Sequence, residues 1–168
     1  MKIYRTRDDA TLPSFATEGS ACFDVKACFG KGDRIKSYNA WNKKVDLIVK
    51  MIAGQDSIQI PPESRVLVST GLIFDIPENH VLKMYVRSSV ACKKGLTLTN
   101  GVGIIDSDYV EESYILLHNV SDSLVVISNG ERLAQCVLEP ILQYDIEEAS
   151  EPPSQKTDRD GGIGSTGT

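Results

Sequence analysis

Residues 84–119 read MYVRSSVACKKGLTLTNGVGIIDSDYVEESYILLHN, and two of their segments carry groups used in nucleotide chemistry. The first, Arg87-Ser88-Ser89, offers a fixed cation and two hydroxyls beside backbone amides, a combination that suits phosphoryl oxygens. The second, residues 100–106, has glycines that let a ligand approach the backbone, and it ends in the acid Asp106. The stretch therefore predicts a site that reads a nucleotide base on one segment and holds its phosphates on the other.

Short β-like runs bounded by turn residues dominate the chain on both sides of this stretch. Each run is rich in apolar and β-branched residues and is closed by glycine, proline or a polar cluster. Many short strands at close spacing indicate an antiparallel sandwich or barrel, so the predicted fold class is all-β. The runs lie at 2–5, 57–60, 65–70, 72–76, 81–86, 96–99, 114–118, 124–128 and 133–138.

Residues 31–56 interrupt this rhythm, and we interpret them as an insertion in a domain that covers residues 1–140. One interpretation is a short helix that ends near Gly54, because four apolar residues follow helical spacing: Val45, Ile48, Val49 and Ile52. A strand through 46–51 is the alternative, since periodicity does not resolve short apolar runs. Trp41 is predicted to be packed.

The last segment, residues 141–168, differs in composition from the rest. It begins as an acidic linker with a Pro152-Pro153 pair and ends in a glycine-rich tail. Two interpretations of the tail stay open. It is either disordered, or it forms a loop that orders over a phosphate through backbone N–H groups and Arg159.

Charge and composition narrow the function classes. The chain has 168 residues and a net charge of −5, which argues against a general nucleic-acid binder, because such proteins cluster Lys and Arg against phosphates. The four cysteines lack CxxC spacing and are predicted to be buried and reduced. No apolar run approaches the length of a membrane span. We therefore predict a soluble, cytoplasmic protein without membrane or direct nucleic-acid contacts.

Taken in order, five motifs resemble those of the trimeric dUTP diphosphatases (dUTPases), over nearly the whole chain. The resemblance implies a jelly-roll-like antiparallel barrel or sandwich that assembles as a homotrimer with shared active sites, the tail reaching over a neighbour. It also implies hydrolysis of dUTP to dUMP and diphosphate, in the host cytoplasm if the source is viral or a phage. The motifs are SACFDV (20–25), VRSSVA (86–91), NGVGIIDSDY (100–109), GERLAQ (130–135) and the tail ending GSTG (164–167).

The resemblance also implies roles for the residues of the long third motif. Asp106 would be the general base that aligns and deprotonates a water for attack on the α-phosphorus, because aspartate is ionised at neutral pH. Tyr109 would pack beneath the deoxyribose and leave no room for a 2′-hydroxyl. The 97–104 hairpin would bind the uracil edge, and a fixed hairpin rejects cytosine by setting donor against donor. Its substrate-binding residues would be Asn100, Gly103 and Ile105.

The triphosphate would be held by Arg87, Ser88, Ser89 and Gln135, with Mg²⁺ bridging phosphate oxygens. Magnesium usually keeps several waters and relies on substrate phosphates, so no dedicated ligand cage is expected. Asp24 would support this arrangement through water or by orienting Arg87, and Arg132 is predicted to be a structural ion-pair residue.

The tail would add Arg159, Ile163, Gly164 and Ser165 to the substrate site. Here it is one residue shorter than the family pattern, and Ile163 stands where the family usually has a phenylalanine stacked on uracil. An isoleucine covers a base without aromatic stacking, so we predict weaker substrate binding rather than loss of the chemistry.

Two other functions are weighed against dUTP hydrolysis. A dCTP deaminase shares the fold and an R-S-S segment, but it needs a glutamate base where this chain has Leu116, and an aliphatic side chain does not shuttle a proton. The second alternative is a nucleotide-sensing or partner-binding trimer in which residues 31–56 bind another protein. Sensing and hydrolysis are compatible, so this alternative stays open.

Overall fold

The computed structural model describes residues 1–158, 161 and 162, and β-strands dominate this part of the chain. A single short helix, α1 (Ser88–Lys94), accompanies them there. The strands are β1 (Lys2–Arg5), β2 (Phe23–Lys26), β3 (Arg34–Tyr38), β4 (Lys44–Ile48), β5 (Lys50–Ile52), β6 (Gln55–Ile60), β7 (Arg65–Ser69), β8 (Leu72–Asp75), β9 (His80–Val86), β10 (Leu96–Leu98), β11 (Gly103–Ile105), β12 (Tyr114–Asn119), β13 (Val125–Ser128) and β14 (Arg132–Pro140).

All the strand pairings in the described residues are antiparallel, and they form four sheets. The two larger sheets have the orders β10-β12-β7-β3-β4 and β11-β9-β14-β2. The smaller sheets are β13-β6-β5 and the pair β1-β8. The predicted all-β antiparallel class is therefore confirmed.

Alternation of apolar residues places the core between the sheets. In β7, Val66 and Val68 are fully buried, and Ile115 and Leu117 of β12 are buried in the same way. Intervening residues of a strand point to the opposite face, so Leu67 and Leu116 are left partly exposed on the outer side. That outer face becomes one wall of the pocket described below.

The chain crosses between the two larger sheets within the stretch that carries the nucleotide motifs. β9 and β11 belong to the four-stranded sheet, whereas β10 and β12 belong to the five-stranded sheet. The connection at residues 99–102 is therefore a corner between sheets. Gly101 has a φ of +71°, a left-handed conformation that favours glycine, and its N–H donates to the Leu98 carbonyl at 3.1 Å.

The structure decides between the two interpretations of residues 45–52. The short helix does not form, and strands β4 and β5 occupy this range, in agreement with the strand alternative except that there are two strands. Strand pairing explains the outcome, because β4 pairs with β3 and β5 pairs with β6. Trp41 was predicted to be packed, but it is 79% exposed at the tip of the β3–β4 hairpin.

Several other elements differ from the sequence-based predictions. Helix α1 and the strands β2, β3 and β11 were not predicted. Cys28 and Cys136 are buried and all four cysteines are free, but Cys92 is exposed on α1, contrary to the prediction. Short elements of three to seven residues carry too little periodicity to be recognised from composition.

The end of the described chain is irregular. β14 ends at Pro140, and residues 141–158 contain neither helix nor strand. The division into a 1–140 domain and a 141–168 arm stays a prediction. In the described residues, no helix combines the length and the apolar character needed to cross a bilayer.

Candidate active site

A pocket of about 310 Å³ lies beside the sheet corner, and we call it the hairpin pocket. It holds five of the residues predicted to bind substrate or to catalyse: Asn100, Gly103, Ile105, Asp106 and Tyr109. Its other lining residues are Leu67, Met84, Ile104, Ser113, Tyr114 and Leu116. Its volume is in the range of small-molecule sites.

The segment from β10 to β11 forms one side of the hairpin pocket. It is not the β-hairpin predicted for residues 97–104, because β10 pairs with β12 and β11 pairs with β9. Its backbone at the sheet corner is held in place by local hydrogen bonds. Thr99 N donates to the Leu116 carbonyl at 2.8 Å, and Val102 N donates to the Asn100 carbonyl at 2.8 Å. Gly103 lies opposite Met84 in β9, and a Cβ at this position would stand 3.0 Å from the Met84 Cβ. A side chain at Gly103 would therefore press on Met84, and glycine suits the close approach of β11 to β9.

Asp106 and Tyr109 share one turn at the mouth of the pocket. Tyr109 N donates to the Asp106 carbonyl at 3.2 Å, and the Tyr109 hydroxyl donates to the Glu112 carbonyl at 2.9 Å. Both side chains are exposed. Tyr109 is thus a pocket residue rather than a core tyrosine, and the Asp106 carboxylate is accessible to water.

Tyr114 also lines the hairpin pocket. Burial raises the pKa of its hydroxyl, and the nearby Glu112 carboxylate adds to the effect. A tyrosine hydroxyl is neutral at physiological pH, so Tyr114 offers an uncharged donor to a ligand. The sequence analysis missed this residue, together with Met84 and Leu67. All three residues lie on strands beside the predicted site segments. The alternation of side chains along those strands could have indicated which residues face the site.

A second polar group, the arginine cluster of Asp24, Arg87 and Arg132, lies on the β9-β14-β2 part of the four-stranded sheet. Arg87 Nε is 2.9 Å from Asp24 Oδ1, and Arg132 Nη1 is 3.0 Å from Asp24 Oδ2. Arg87 Nη1 also donates to the Arg132 carbonyl at 3.3 Å. Asp24 is largely buried between the two guanidinium groups and therefore fixes the orientation of Arg87.

Sheet register brings the remaining phosphate-binding candidates beside this cluster. Gln135 pairs with Asp24 on one side and Tyr85 on the other, and directly paired residues project from the same face. Ser88 and Ser89 are exposed and form the first two positions of α1, directly after Arg87. N–H groups in a first helical turn have no intrahelical acceptor, so they are available to oxygen ligands.

A cavity of about 480 Å³ adjoins the arginine cluster and is lined by Asp24 and Arg132. Its other walls come from the loop at residues 11–16, from Lys26 and from Gly130-Glu131. The sequence analysis identified the GERLAQ motif but did not predict that the 11–16 loop or Lys26 would face it. Contacts of this kind depend on long-range packing and leave no local signal.

Within one chain, the Asp106 end of the hairpin pocket lies toward one end of β9 and the arginine cluster lies at the other. Ile105 lies opposite Leu82 in the β11–β9 pair, whereas Arg87 follows the far end of β9. The five strand steps from Leu82 to Arg87 amount to roughly 17 Å at about 3.3 Å per residue. No residue of the arginine cluster lines the hairpin pocket. Arg159, Ile163, Gly164 and Ser165 lie outside the described residues, so their predicted contacts stay predictions.

Comparison with known families identifies the chain. The sequence model of the dUTPase family matches residues 52–167, which is more than half of the chain. The chain belongs to the dUTPase family. The predicted membership of this enzyme family is therefore confirmed. The hairpin pocket contains residues of the NGVGIIDSDY motif, and the arginine cluster takes one residue each from the SACFDV, VRSSVA and GERLAQ motifs.

Individual relatives agree with this assignment. A deoxyuridine 5′-triphosphate nucleotidohydrolase of Hydrogenobaculum sp. is 36% identical over 165 residues, covering 98% of this chain and 96% of the relative. The crystal structure of a dUTPase from Streptococcus mutans is 28% identical, with a TM-score of 0.65, and covers 86% of this chain and 99% of its own. The structure of a Staphylococcus bacteriophage 80alpha dUTPase has a TM-score of 0.73 and is 19% identical, and the match covers 99% of this chain and 98% of the phage chain. At this low identity, the similarity supports the fold but not a function.

The residues present fit a magnesium ion only if the substrate supplies most of its ligands. Among residues 1–158, 161 and 162, no group of three or more His, Cys, Asp or Glu side chains could hold a metal. Both carboxylate oxygens of Asp24 already contact arginines. Mg²⁺ commonly takes phosphate and water oxygens beside one or two carboxylates, which is compatible with this arrangement.

Proposed function

We propose that this dUTPase family member hydrolyses dUTP to dUMP and diphosphate by attack of water on the α-phosphorus. The observation that carries the proposal is the hairpin pocket, which combines a nucleoside-sized volume with Asp106 at its mouth. The reaction would remove dUTP from the nucleotide pool of the cytoplasm, limit uracil incorporation into DNA and supply dUMP for dTMP synthesis.

Base selection would come from the sheet corner at residues 99–102. Uracil presents acceptor, donor and acceptor atoms along its edge, whereas cytosine replaces the first acceptor with an amine. The backbone of the corner is fixed by hydrogen bonds, so it cannot rearrange to accept the cytosine amine without leaving donors unpaired. The Asn100 side chain would add a contact to the base edge. Ile105 and Gly103 would pack against the base, and Tyr109 would pack beneath the sugar.

Proton transfer would fall to Asp106. An exposed, ionised carboxylate accepts a hydrogen bond from water, aligns its lone pair toward the phosphorus and takes up its proton. Magnesium, when bound with the substrate, would neutralise negative charge on the phosphate oxygens. Arg87, Ser88, Ser89 and Gln135 would hold the triphosphate, with Asp24 orienting Arg87 rather than ligating the metal.

The separation of the two groups supports a site shared between subunits. The strand positions of Asp106 and Arg87 in one chain are roughly 17 Å apart, which favours contributions from different copies of the chain. We therefore propose a homotrimer in which the hairpin pocket of one copy meets the arginine cluster of another. The tail residues Arg159, Ile163, Gly164 and Ser165 would close this site.

Product analysis tests this function against deamination. Purified protein would be incubated with dUTP or dCTP, with Mg²⁺ and with chelator, while diphosphate and ammonia are measured. We expect diphosphate from dUTP in the presence of Mg²⁺ and no ammonia from dCTP, since aliphatic Leu116 lines the pocket where a deaminase needs its glutamate. Ammonia release from dCTP would overturn the proposal in favour of the deaminase.

We also propose that the β3–β4 hairpin, within residues 31–56, presents Trp41 to a protein partner. The hairpin tip is braced while the indole is 79% exposed. Asn39 Oδ1 accepts from Trp41 N and from Lys43 N at 3.0 Å, and Arg65 Nη2 donates to Asn42 Oδ1 at 2.6 Å. A fixed backbone at the hairpin tip limits the conformational freedom lost on binding, and an exposed tryptophan is a common interface anchor.

The Trp41→Ala variant tests this partner site. We expect it to hydrolyse dUTP at the wild-type rate, because Trp41 lines neither the hairpin pocket nor the arginine cluster. A photo-crosslinker at position 41 should capture one discrete protein from cells of the source organism, and the same crosslinker at exposed Lys31 should not. Equal capture from both positions, or crosslinks to other copies of this chain alone, would contradict the proposal.

A further inference from the structure

Glu112 is half-buried just after the turn that carries Asp106 and Tyr109, and its carboxylate joins three other parts of the chain. Its Oε1 accepts from the Ser69 hydroxyl at 2.5 Å and from Gly71 N at 3.0 Å. Its Oε2 accepts from the Thr6 hydroxyl at 3.4 Å. These partners lie at the end of β7, in the β7–β8 bend and after β1, so the carboxylate fixes Glu112 to the body of the fold.

The backbone of the same residue contacts the pocket. The Glu112 carbonyl accepts the Tyr109 hydroxyl hydrogen bond at 2.9 Å, which sets the direction of the Tyr109 ring. Tyr109 N in turn donates to the Asp106 carbonyl, so Tyr109 is hydrogen-bonded both to the start of the turn and to Glu112 after it. One residue therefore connects the ring at the mouth of the pocket to a rigid bend outside it.

The anchor for this connection is itself tightly packed. Gly71 has a φ of +67°, and a Cβ there would stand 2.7 Å from the Ala10 Cβ, so the bend packs closely against the segment that follows β1. Thr6 N donates to the Gly71 carbonyl at 2.9 Å, and Ser113 N donates to the Leu72 carbonyl at 2.9 Å. The bend is thus fixed on both sides of the Glu112 carboxylate.

We propose that Glu112 is a positioning residue for sugar selection, which holds the Tyr109 ring where it excludes a 2′-hydroxyl. The inference rests on the proposed function, in which Tyr109 lies beneath the deoxyribose. Glu112 does not line the hairpin pocket, so it acts through Tyr109 rather than on the substrate. Hydrogen bonds from a hydroxyl or a backbone N–H are stronger when the acceptor is a carboxylate than when it is neutral. The Glu112 carboxylate can therefore hold its residue firmly in place.

The test compares kcat/KM for dUTP with kcat/KM for UTP in matched variants. Glu112→Ala removes all three carboxylate contacts, and we expect the dUTP-to-UTP ratio to fall on the order of tenfold, mainly through a gain in UTP turnover. Glu112→Gln keeps an oxygen for Ser69 and Gly71 N, so it should retain most of the ratio. Glu111→Ala changes the same charge at an exposed neighbour and should leave the ratio at the wild-type value.

A double-mutant cycle shows whether Glu112 acts through the tyrosine hydroxyl. Tyr109→Phe removes the donor to the Glu112 carbonyl and should lower the ratio by itself. Adding Glu112→Ala to Tyr109→Phe should then lower it by less than Glu112→Ala does alone, because coupled residues are not additive. Since Glu112→Gln and Tyr109→Phe are conservative, the test survives if Glu112→Ala fails to fold.

Two results separate this inference from the function on which it rests. If the wild-type protein does not hydrolyse dUTP, the proposed function itself is wrong. A wild-type enzyme that prefers dUTP, with a Glu112→Ala variant that loses thermal stability but keeps the full dUTP-to-UTP ratio, would overturn the positioning role alone. An additive cycle would also overturn it.

Discussion

Replacement of Asp106 by asparagine is expected to lower kcat for dUTP by about 10²–10⁴-fold, the usual effect of removing a general base. Asparagine keeps the shape of the side chain but does not accept the proton of the attacking water. Nucleotide binding should survive, because the base and sugar contact other parts of the hairpin pocket. Steady-state diphosphate release and equilibrium binding of a non-hydrolysable dUTP analogue would measure the two effects separately.

Asp108→Asn is the matched control for this variant. Asp108 is an exposed acid in the same turn, two residues from Asp106, and it does not line the pocket. We expect it to retain wild-type turnover. An Asp106→Asn variant as active as Asp108→Asn would remove Asp106 from the mechanism.

Mixing two inactive variants is expected to restore activity. Arg87→Ala should lose dUTP turnover because the triphosphate loses its oriented cation, while Arg132 still pairs with Asp24. In randomly mixed trimers of Asp106→Asn and Arg87→Ala chains, about one quarter of the shared sites combine an intact Asp106 from one chain with an intact Arg87 from another. Co-refolding followed by measurement of diphosphate release should therefore recover up to about a quarter of wild-type activity.

The control mixture contains Asp106→Asn and the Asp106→Asn/Arg87→Ala double variant, in which no site has an intact aspartate. It should remain inactive. If the first mixture also stays inactive while forming mixed oligomers, both residues act within one chain and the shared site is wrong. A monomer that hydrolyses dUTP in a sedimentation experiment would lead to the same conclusion.

The hairpin pocket was predictable because its chemistry is local in the chain. Asn100 to Tyr109 lie within ten residues, so the sheet corner and the following turn keep them close together along the chain. The β-rich fold was predictable for a related reason, since period-two alternation survives in most strands. The arginine cluster required more, because Asp24, Arg87 and Arg132 meet only through the register of three strands.

The remaining features depended on tertiary context. Apolar residues at 45, 48, 49 and 52 fit a helix in isolation, but pairing with β3 and β6 places them in strands. Glu112 carried no motif of its own in the analysis, and its three contacts come from β7, the β7–β8 bend and the end of β1. Trp41 was predicted to be buried from residue type alone, whereas the hairpin tip holds it in solvent.

Hydrolysis of dUTP in water enriched with oxygen-18 is the most direct test of the central claim, which is attack of water on the α-phosphorus. The reaction would be run with Mg²⁺ for a single turnover, and both products would be analysed by mass spectrometry. The account predicts one labelled oxygen in dUMP and none in diphosphate. Label in diphosphate, or release of inorganic phosphate in place of diphosphate, would contradict it.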